Sequence, residues 1–171
     1  YLDDLEHGKG MYKRHDAYFY EGDFINGDFS GKGNIEWING EKYEGDFKNG
    51  FRTGKGKYTF ASGSFYEGDF DKNILSGQGV FKYSDGSVYK GEMSNDYENG
   101  YGQITYADGS YYEGNFKDGY PHGKGKKIYT NGNIYDGLWE NGKEAEGKTT
   151  LAKFTTDEKY SALIIGNNKY D

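Results

Sequence analysis

The chain repeats itself with a period of 23 residues, and this period restricts the possible folds more than any single residue does. Tyrosines separated by this interval mark the repeats without a slip. They are Tyr20, Tyr43, Tyr66, Tyr89, Tyr112 and Tyr135. Units of this length are too small to bury an apolar face alone, so they must stack on their neighbours. The sequence therefore predicts an array of supersecondary units.

Other residue types recur at fixed distances from each tyrosine, which we take as position 0. Glycine follows at +2, +11 and +13, an apolar residue at +4, an aromatic residue at +17 and a closing glycine at +20. Residues 20–134 form five complete repeats, and residues 1–17 look like the second half of an earlier one. Residues 135–150 form a partial last repeat, in which the phase fails because Glu146 stands where glycine is expected. We therefore assign residues 1–150 to the repeat array.

The alternation inside each repeat favours strands over helices. Tyr20, Gly22 and Phe24 alternate with acidic residues, which is the period of two of a strand. Each repeat is thus interpreted as one β-hairpin. The predicted fold class is all-β, a repeat array of antiparallel β-hairpins that forms an elongated, twisted single-layer sheet. With about 12 strands spaced roughly 4.8 Å apart, it would be about 50 Å long.

Two kinds of turn are expected in each repeat. Dipeptides such as Asn39-Gly40 indicate tight turns. A looser turn is expected near +7, where glycine is usual but Asn73 and Asp96 replace it. Because asparagine and aspartate best tolerate a left-handed backbone, these replacements predict a positive φ at +7.

The two faces of the predicted sheet differ in composition. The chain contains 19 Tyr, 11 Phe and 2 Trp beside 29 Gly, so aromatic rings packed over glycine gaps are the structural interpretation of the apolar face. The functional interpretation is that the rings form a part-exposed aromatic trough that binds a partner segment. The structural and the functional interpretation both remain open. On the other face, acids at +1 and +3 oppose lysines at +12, +14 and +16. Such cross-strand pairs stabilise by roughly 0.2–1 kcal/mol each.

The phrase Tyr-Glu-Gly-Asp-Phe, followed by Asn-Gly, Gly-Lys-Gly and Gly, resembles the MORN repeat (membrane occupation and recognition nexus) over about residues 5–147. This resemblance implies a twisted rod of β-hairpins in a mainly non-catalytic protein. Members of the family act as scaffolds, bind helical or extended peptides, often dimerise and are reported near membranes. The resemblance therefore implies a scaffold for protein–protein interaction.

The residue inventory offers little chemistry. No cysteine is present, which excludes disulfides, thiolate zinc sites and a cysteine nucleophile in this chain. The histidines, His7, His15 and His122, lie at unrelated repeat positions, so we expect no catalytic residue, cofactor site or metal site. A net charge of −7 argues against nucleic acid as a partner. No apolar run approaches ~18 residues and no signal-peptide pattern is seen, so a soluble, cytoplasmic protein is expected.

A lysine cluster keeps a membrane-surface function open. Lys124, Lys126 and Lys127 are the candidate lipid-binding residues, although the acidic charge of the chain opposes anionic lipid. A phospholipid-binding module is therefore one alternative to a protein scaffold.

Residues 151–171 have no repeat and form a separate C-terminal tail. The segment Tyr-Ser-Ala-Leu-Ile-Ile-Gly-Asn-Asn-Lys-Tyr at 160–170 resembles the first core strand of caspase-like peptidases, the metacaspase and paracaspase group. This resemblance implies an N-terminal regulatory or targeting region of a longer caspase-like peptidase. It transfers no catalytic residue, because the catalytic His and Cys of that family lie further along than Asp171. The alternative is a terminal strand that caps the open sheet edge after Trp139.

The middle repeats carry the candidate partner-binding surface. Repeat 89–111 departs from the repeat pattern at three positions: Lys90 replaces an acid, Met93 replaces Phe and Tyr101 replaces a polar residue. Ile74 and Leu75 add an apolar pair, expected in a loop, where exposure is costly without a purpose. The candidates are Tyr66, Phe70, Ile74, Leu75, Tyr83, Tyr89, Lys90, Met93, Tyr101, Tyr106, Tyr112 and Phe116. Their expected partner is a peptide or helix of another protein, or a second copy of the chain; the alternative is neutral drift among redundant repeats.

Overall fold

A computed structural model describes residues 6–152 of the chain. These residues form one open sheet of 13 antiparallel strands, in which every strand pairs with its neighbours in sequence. The strands are β1 (Gly8–Arg14), β2 (Tyr18–Ile25), β3 (Asp28–Trp37), β4 (Lys42–Lys48), β5 (Phe51–Thr59), β6 (Phe65–Asp71), β7 (Ile74–Lys82), β8 (Val88–Ser94), β9 (Tyr97–Thr105), β10 (Tyr111–Lys117), β11 (Tyr120–Ile128), β12 (Ile134–Glu140) and β13 (Lys143–Thr150). The predicted all-β hairpin array is confirmed, with one strand more than expected.

The additional strand is β13, which forms a hairpin with β12 although the sequence phase fails there. Gly147 pairs with Gly137 just as Gly56 pairs with Gly45 in a complete repeat. A complete hairpin accommodates a β-bulge that adds two residues to its second strand, whereas the last hairpin adds one. The missing residue therefore shortens the bulge and leaves the pairing intact.

β13 also occupies the sheet edge beside β12, the strand that contains Trp139. The tail segment predicted to cap that edge lies outside the described residues.

The two turn types are the reverse of those predicted. The turn at +7 is the tight one, since only Lys72 and Asn73 separate β6 from β7, with φ of 47° and 75°. Positive φ at both central residues is typical of the two-residue hairpin turn. Asp96 at the equivalent position has a φ of 69°, so the predicted left-handed backbone at +7 is confirmed. The Asn39-Gly40 turn is longer, because residues 38–41 separate β3 from β4, and there only the glycine has a positive φ, of 87°.

Each repeat is held together by its tyrosine, which lies flat against a pair of glycines. In the second complete repeat the hydroxyl of Tyr43 donates a hydrogen bond of 3.0 Å to the carbonyl of Asp46. A Cβ on Gly45 would lie 2.5 Å from the Tyr43 hydroxyl oxygen, and one on Gly56 would overlap the same ring. Equivalent bonds from the tyrosine hydroxyl link Tyr20 to Asp23, Tyr66 to Asp69, Tyr89 to Glu92, Tyr112 to Asn115 and Tyr135 to Leu138. Glycine at +2 and +13 is therefore required by the space that the ring needs.

These tyrosines and the residues at +4 form the core on one face of the sheet. The tyrosines from Tyr20 to Tyr112 are at most 1% exposed, and each contacts the apolar residue at +4 of its own or the next repeat. Tyr43, for example, meets Phe47 and Phe70 edge-on, with centroid distances of 5.1 and 5.0 Å. The core is therefore a line of packed rings along the sheet in which Met93 takes the place of one ring, as expected for a stack without a globular interior.

Acid–base pairing on the opposite face confirms the predicted cross-strand arrangement, although the ion pairs join neighbouring repeats. The carboxylate of Asp46 accepts a hydrogen bond of 3.0 Å from the backbone N–H of Lys55 in the bulge of its own repeat. Its other oxygen lies 2.7 Å from the amino group of Lys32 in the preceding repeat. Asp69 and Lys55 form the same ion pair at 2.7 Å. These pairs sit at the register positions where +12 faces the next +3.

Candidate functional site

The face that contains the core also presents a row of half-buried rings, which we call the aromatic trough. It consists of Trp37, Tyr58, Phe60, Phe81, Tyr83, Tyr106 and Tyr129, at positions +15 and +17 of successive repeats. From Trp37 to Tyr83 the rings contact one another in sequence, at centroid distances of 5.6, 4.7, 5.4 and 4.4 Å. The rings at 0 and +4 are therefore structural, and those at +15 and +17 are partly open to solvent. Whether the open rings bind a partner stays a prediction.

Many of the predicted partner-binding residues belong to the core. Tyr66, Phe70, Leu75, Tyr89, Met93, Tyr112 and Phe116 are between 0% and 6% exposed. Because their side chains are covered by neighbouring repeats, their assignment to a contact surface is corrected to a packing role.

The remaining candidates lie on opposite faces of the sheet. Tyr83 and Tyr106 are part of the aromatic trough. Ile74, Lys90 and Tyr101 alternate with core residues along their strands and point away from the trough. The predicted single surface is therefore two surfaces, and for these five residues a partner-binding role stays a prediction.

The apolar pair Ile74 and Leu75 starts a strand and does not lie in a loop as expected. Leu75 pairs with Phe70 and is 6% exposed, whereas Ile74 is 39% exposed on the opposite face. Ile74 belongs to a row of exposed apolar residues at +8 that the sequence analysis missed. Its other members are Phe51, Tyr97 and Tyr120.

Tyr101 takes part in a polar cluster on the same face as Ile74. Its hydroxyl donates a hydrogen bond to Glu113, and the hydroxyl of Tyr111 donates another, of 3.1 Å, to the same carboxylate. The bond from Tyr101 is the main cause of the lowered pKa of Glu113, with a smaller contribution from Tyr111. Tyr101 nevertheless keeps about half of its surface exposed.

The candidate lipid-binding lysines are not brought together. Lys124 and Lys126 are exposed on the polar face, whereas Lys127 lies on the aromatic face. The Lys127 amino group sits 5.0 Å from the ring centres of both Tyr106 and Tyr129. Since neighbouring residues of a strand point to opposite faces, this separation could have been read from the sequence.

A groove of about 1260 Å³ runs along the polar face of the first eight strands. Its floor includes the backbone of the paired glycines at +2 and +13, whose opposite side is covered by the core tyrosines. Its walls are mostly charged side chains of alternating sign, including Glu44, Lys55, Lys57 and Glu67. The sequence analysis predicted the charge rows but not the groove between them.

Arg52 is a second feature that the sequence analysis missed. Its guanidinium lies on the aromatic face, 4.7 Å from the ring centre of Tyr58 and 5.7 Å from those of Trp37 and Tyr43. The group also donates hydrogen bonds of 3.2 and 3.1 Å to the side-chain and backbone oxygens of Asn73. A cation is thus held among rings and anchored by the turn of the next repeat.

Glu98 occupies the position of Arg52 two repeats later. The residue is 9% exposed, and burial raises the pKa of its carboxyl group. Burial, followed by the charge of Glu98, also raises the pKa of the neighbouring Tyr106. A carboxyl group therefore lies beneath the aromatic trough in the second half of the sheet.

No helix in residues 6–152 is long and apolar enough to cross a membrane. The caspase-like resemblance falls on residues 160–170, outside the described residues, and the comparisons with known proteins do not support it.

Comparison with known proteins gives a family match and a distant structural likeness. The family model described as MORN repeat matches residues 1–16, 20–42, 43–65, 66–88, 89–111, 112–134 and 135–155. The comparison with curated proteins finds no match. Among solved structures, the TCP domain of Drosophila melanogaster SAS-4, solved in complex with a proline-rich motif of Ana2, is 14% identical with a TM-score of 0.46. That likeness covers 76% of this chain and 77% of the other, and it is too distant to carry a functional conclusion.

The family matches coincide with the structural units. Each of the six matches from residue 20 onward covers one hairpin, from β2–β3 to β12–β13, except for the first one or two residues of its first strand. Since the matches cover nearly the whole chain in the register of its hairpins, the chain belongs to the MORN-repeat family.

Proposed function

We propose that this chain is a non-catalytic repeat scaffold that binds an amphipathic segment of a partner protein along the aromatic trough. The family is one of generally non-catalytic repeat proteins, which supports the scaffold role. The observation that carries the proposal is the unbroken contact of half-buried rings from Trp37 to Tyr83 on one side of a one-layer sheet. Large rings that keep apolar area exposed in a row are typical of interaction surfaces.

The length of this row fits a short peptide segment. Trp37 and Tyr83 are two repeats apart, which corresponds to four strand spacings, or roughly 19 Å. A helix of about 13 residues or an extended segment of about six residues covers this distance. The occupant is expected to present apolar side chains, because the rings offer mainly apolar area in the stretch between Tyr58 and Tyr83.

A display library of random 16-residue peptides tests this proposal. Enriched peptides are titrated against the parent chain, against Phe60→Ala in the trough and against Phe51→Ala on the opposite face. We expect Phe60→Ala to weaken binding by about tenfold or more, which is ~1.4 kcal/mol, and Phe51→Ala to bind like the parent. Equal losses in both variants, or no enriched peptide, would contradict the proposal.

Self-association is tested separately by sedimentation equilibrium over a range of protein concentrations. A dimer that Phe60→Ala converts to a monomer would identify a second copy of the chain as the occupant of the trough. A monomer at all concentrations agrees with a partner of different sequence.

A further inference from the structure

The residue at +9 has a distinctive place in every repeat. It pairs with the core residue at +4, on the aromatic face, and its carbonyl accepts a hydrogen bond from the turn of the next repeat. In the complete repeats it is Phe29, Arg52, Leu75, Glu98 and Pro121. Phe29, Leu75 and Pro121 extend the apolar core. Arg52 and Glu98 are charged, so other contacts must account for their place on the aromatic face.

Arg52 shows that this place accepts a guanidinium group. Its cation contacts rings at +17 of the preceding repeat and at 0 and +15 of its own repeat, namely Trp37, Tyr43 and Tyr58. The turn residue Asn73 accepts two of its hydrogen bonds. A positive charge at +9 is thus stabilised by ring faces and by oxygen atoms of the next turn.

Glu98 carries the opposite charge at the same place, where the ring at +17 of the preceding repeat is Tyr83 and that at 0 is Tyr89. In residues 6–152 no side chain donates a hydrogen bond to its carboxylate or forms an ion pair with it. Lys127 is a cation on the same face, but its amino group lies over the rings of Tyr106 and Tyr129. This carboxylate is 9% exposed, and burial raises its pKa more than the hydrogen bond from its own backbone N–H lowers it, so the charged form is disfavoured without a cationic partner.

The turn beside Glu98 has no side chain equivalent to that of Asn73, which accepts a hydrogen bond from the Arg52 guanidinium. Gly119 stands where Asn73 stands beside Arg52, so no side chain extends from the turn. A Cβ on Gly119 would lie 3.3 Å from a carboxylate oxygen of Glu98. The oxygen therefore lies close to the turn at Gly119, and no side chain at that position contacts it.

We propose that Glu98 receives a basic side chain, an arginine or a lysine, of the protein segment that the aromatic trough binds. This inference rests on the proposed function and specifies one side chain of the bound segment, the basic residue that pairs with Glu98. Arginine suits the place better, since a planar guanidinium can pair with the carboxylate while it stacks on the ring faces of the trough. The chain itself provides the precedent, because Arg52 occupies the equivalent place two repeats earlier.

The peptide library described above also tests this inference. We expect enriched peptides to contain a basic residue, and Glu98→Gln to weaken their binding by at least about tenfold. Glu67→Gln, which removes an exposed carboxylate on the opposite face, is the control and is expected to bind like the parent. Replacing the basic residue by citrulline or norleucine in the peptide should cost affinity with the parent chain and little with Glu98→Gln.

The stability of the free protein provides a second measurement. If Glu98 has no cationic partner in the free chain, its charge does not stabilise the fold. Glu98→Gln should then leave the melting temperature of the free chain unchanged or raise it. A clear decrease would mean that the carboxylate has a structural role, and it would overturn the inference.

The outcomes separate the inference from the function on which it rests. Enriched peptides without a basic residue would overturn the role of Glu98. The same would follow if replacing the basic residue by citrulline weakened binding equally for the parent chain and for Glu98→Gln. The trough would still be the binding surface if Phe60→Ala weakened those peptides. A library that yields no peptide would overturn both.

Discussion

The backbone N–H of Asn73 donates a hydrogen bond of 2.9 Å to the carbonyl of Arg52 in the preceding repeat. The same bond, from +7 to the preceding +9, joins Gly50 to Phe29, Asp96 to Leu75, Gly119 to Glu98 and Gly142 to Pro121. Each tight turn is therefore tied to the hairpin before it, in addition to the strand pairing. This bond requires the left-handed turn, so the positive φ at +7 serves the stacking of repeats as well as the turn itself.

Substitutions of Asn73 should show this double requirement. Asn73→Gly keeps the positive φ and the backbone bond but removes the side-chain oxygen that accepts hydrogen bonds of 2.9 Å from the backbone N–H of Arg52 and 3.2 Å from its guanidinium. Asn73→Val loses the side-chain bond and also strains the backbone at a φ of 75°. We expect stability to fall in the order parent, Gly, Val, with Val at least about 1 kcal/mol below Gly. Urea unfolding followed by circular dichroism measures the order, and equal stability of the two variants would contradict it.

The glycine pairs should not tolerate a side chain. In Gly68→Val a Cβ would lie 2.6 Å from the Cα of Gly79 and would also overlap the hydroxyl of Tyr66. Because the obstacle includes backbone, we expect a loss of more than about 2 kcal/mol. Gln78→Val is the matched control, since it places the same side chain on an exposed position beside Gly79. A thermal melt of Gly68→Val that matches that of the control would refute the packing of Tyr66 over the glycines.

The ion pairs between repeats should make stability depend on acid pH. Desolvation raises the pKa of Asp46, but the hydrogen bonds from Lys32 and Lys55 and the charge of Lys32 outweigh it and lower the pKa below its ordinary 3.8. A carboxylate with a lowered pKa in the folded state stabilises the protein above the unfolded value, and this contribution is lost as pH falls through the folded value. The side chain is 33% exposed, so we expect roughly 0.2–1 kcal/mol from the pair.

Asp46→Asn is the variant that measures this contribution. It should be less stable than the parent at pH 7. The difference should start to shrink as pH falls below ~3.8 and should disappear once pH is below the lowered pKa of Asp46 in the folded protein. A difference that persists undiminished in strong acid would show that the aspartate acts through packing rather than charge.

Lipid binding should be weak. The net charge is −7, and the candidate lysines are divided between the two faces of the sheet. We expect little co-sedimentation with vesicles of phosphatidylserine and phosphatidylcholine at physiological salt. Tight, salt-sensitive binding that Lys124→Glu abolishes would establish the membrane surface as a ligand, and Lys48→Glu serves as a control of equal charge change.

The sequence by itself determined the local structure of this protein. The period of two around Tyr20 predicts strands, the 23-residue interval predicts one hairpin per repeat, and Asn73 and Asp96 predict the left-handed backbone at +7. These features depend on the conformational preferences of one or a few residues. They can therefore be read without knowledge of how the repeats pack on one another. Which of the two turns is the tight one was predicted wrongly.

Only the tertiary structure decided which of these residues are accessible. Tyr83 and Tyr89 are both aromatic residues of the same face, but neighbouring repeats cover Tyr89 completely and leave Tyr83 half-buried. The surroundings of Arg52 and Glu98 could not be predicted either. Arg52, for example, contacts Trp37 of the preceding repeat and the Asn73 turn of the next one. Burial, and with it the candidate binding surface, depends on contacts between repeats, and the pattern inside a single repeat does not contain them.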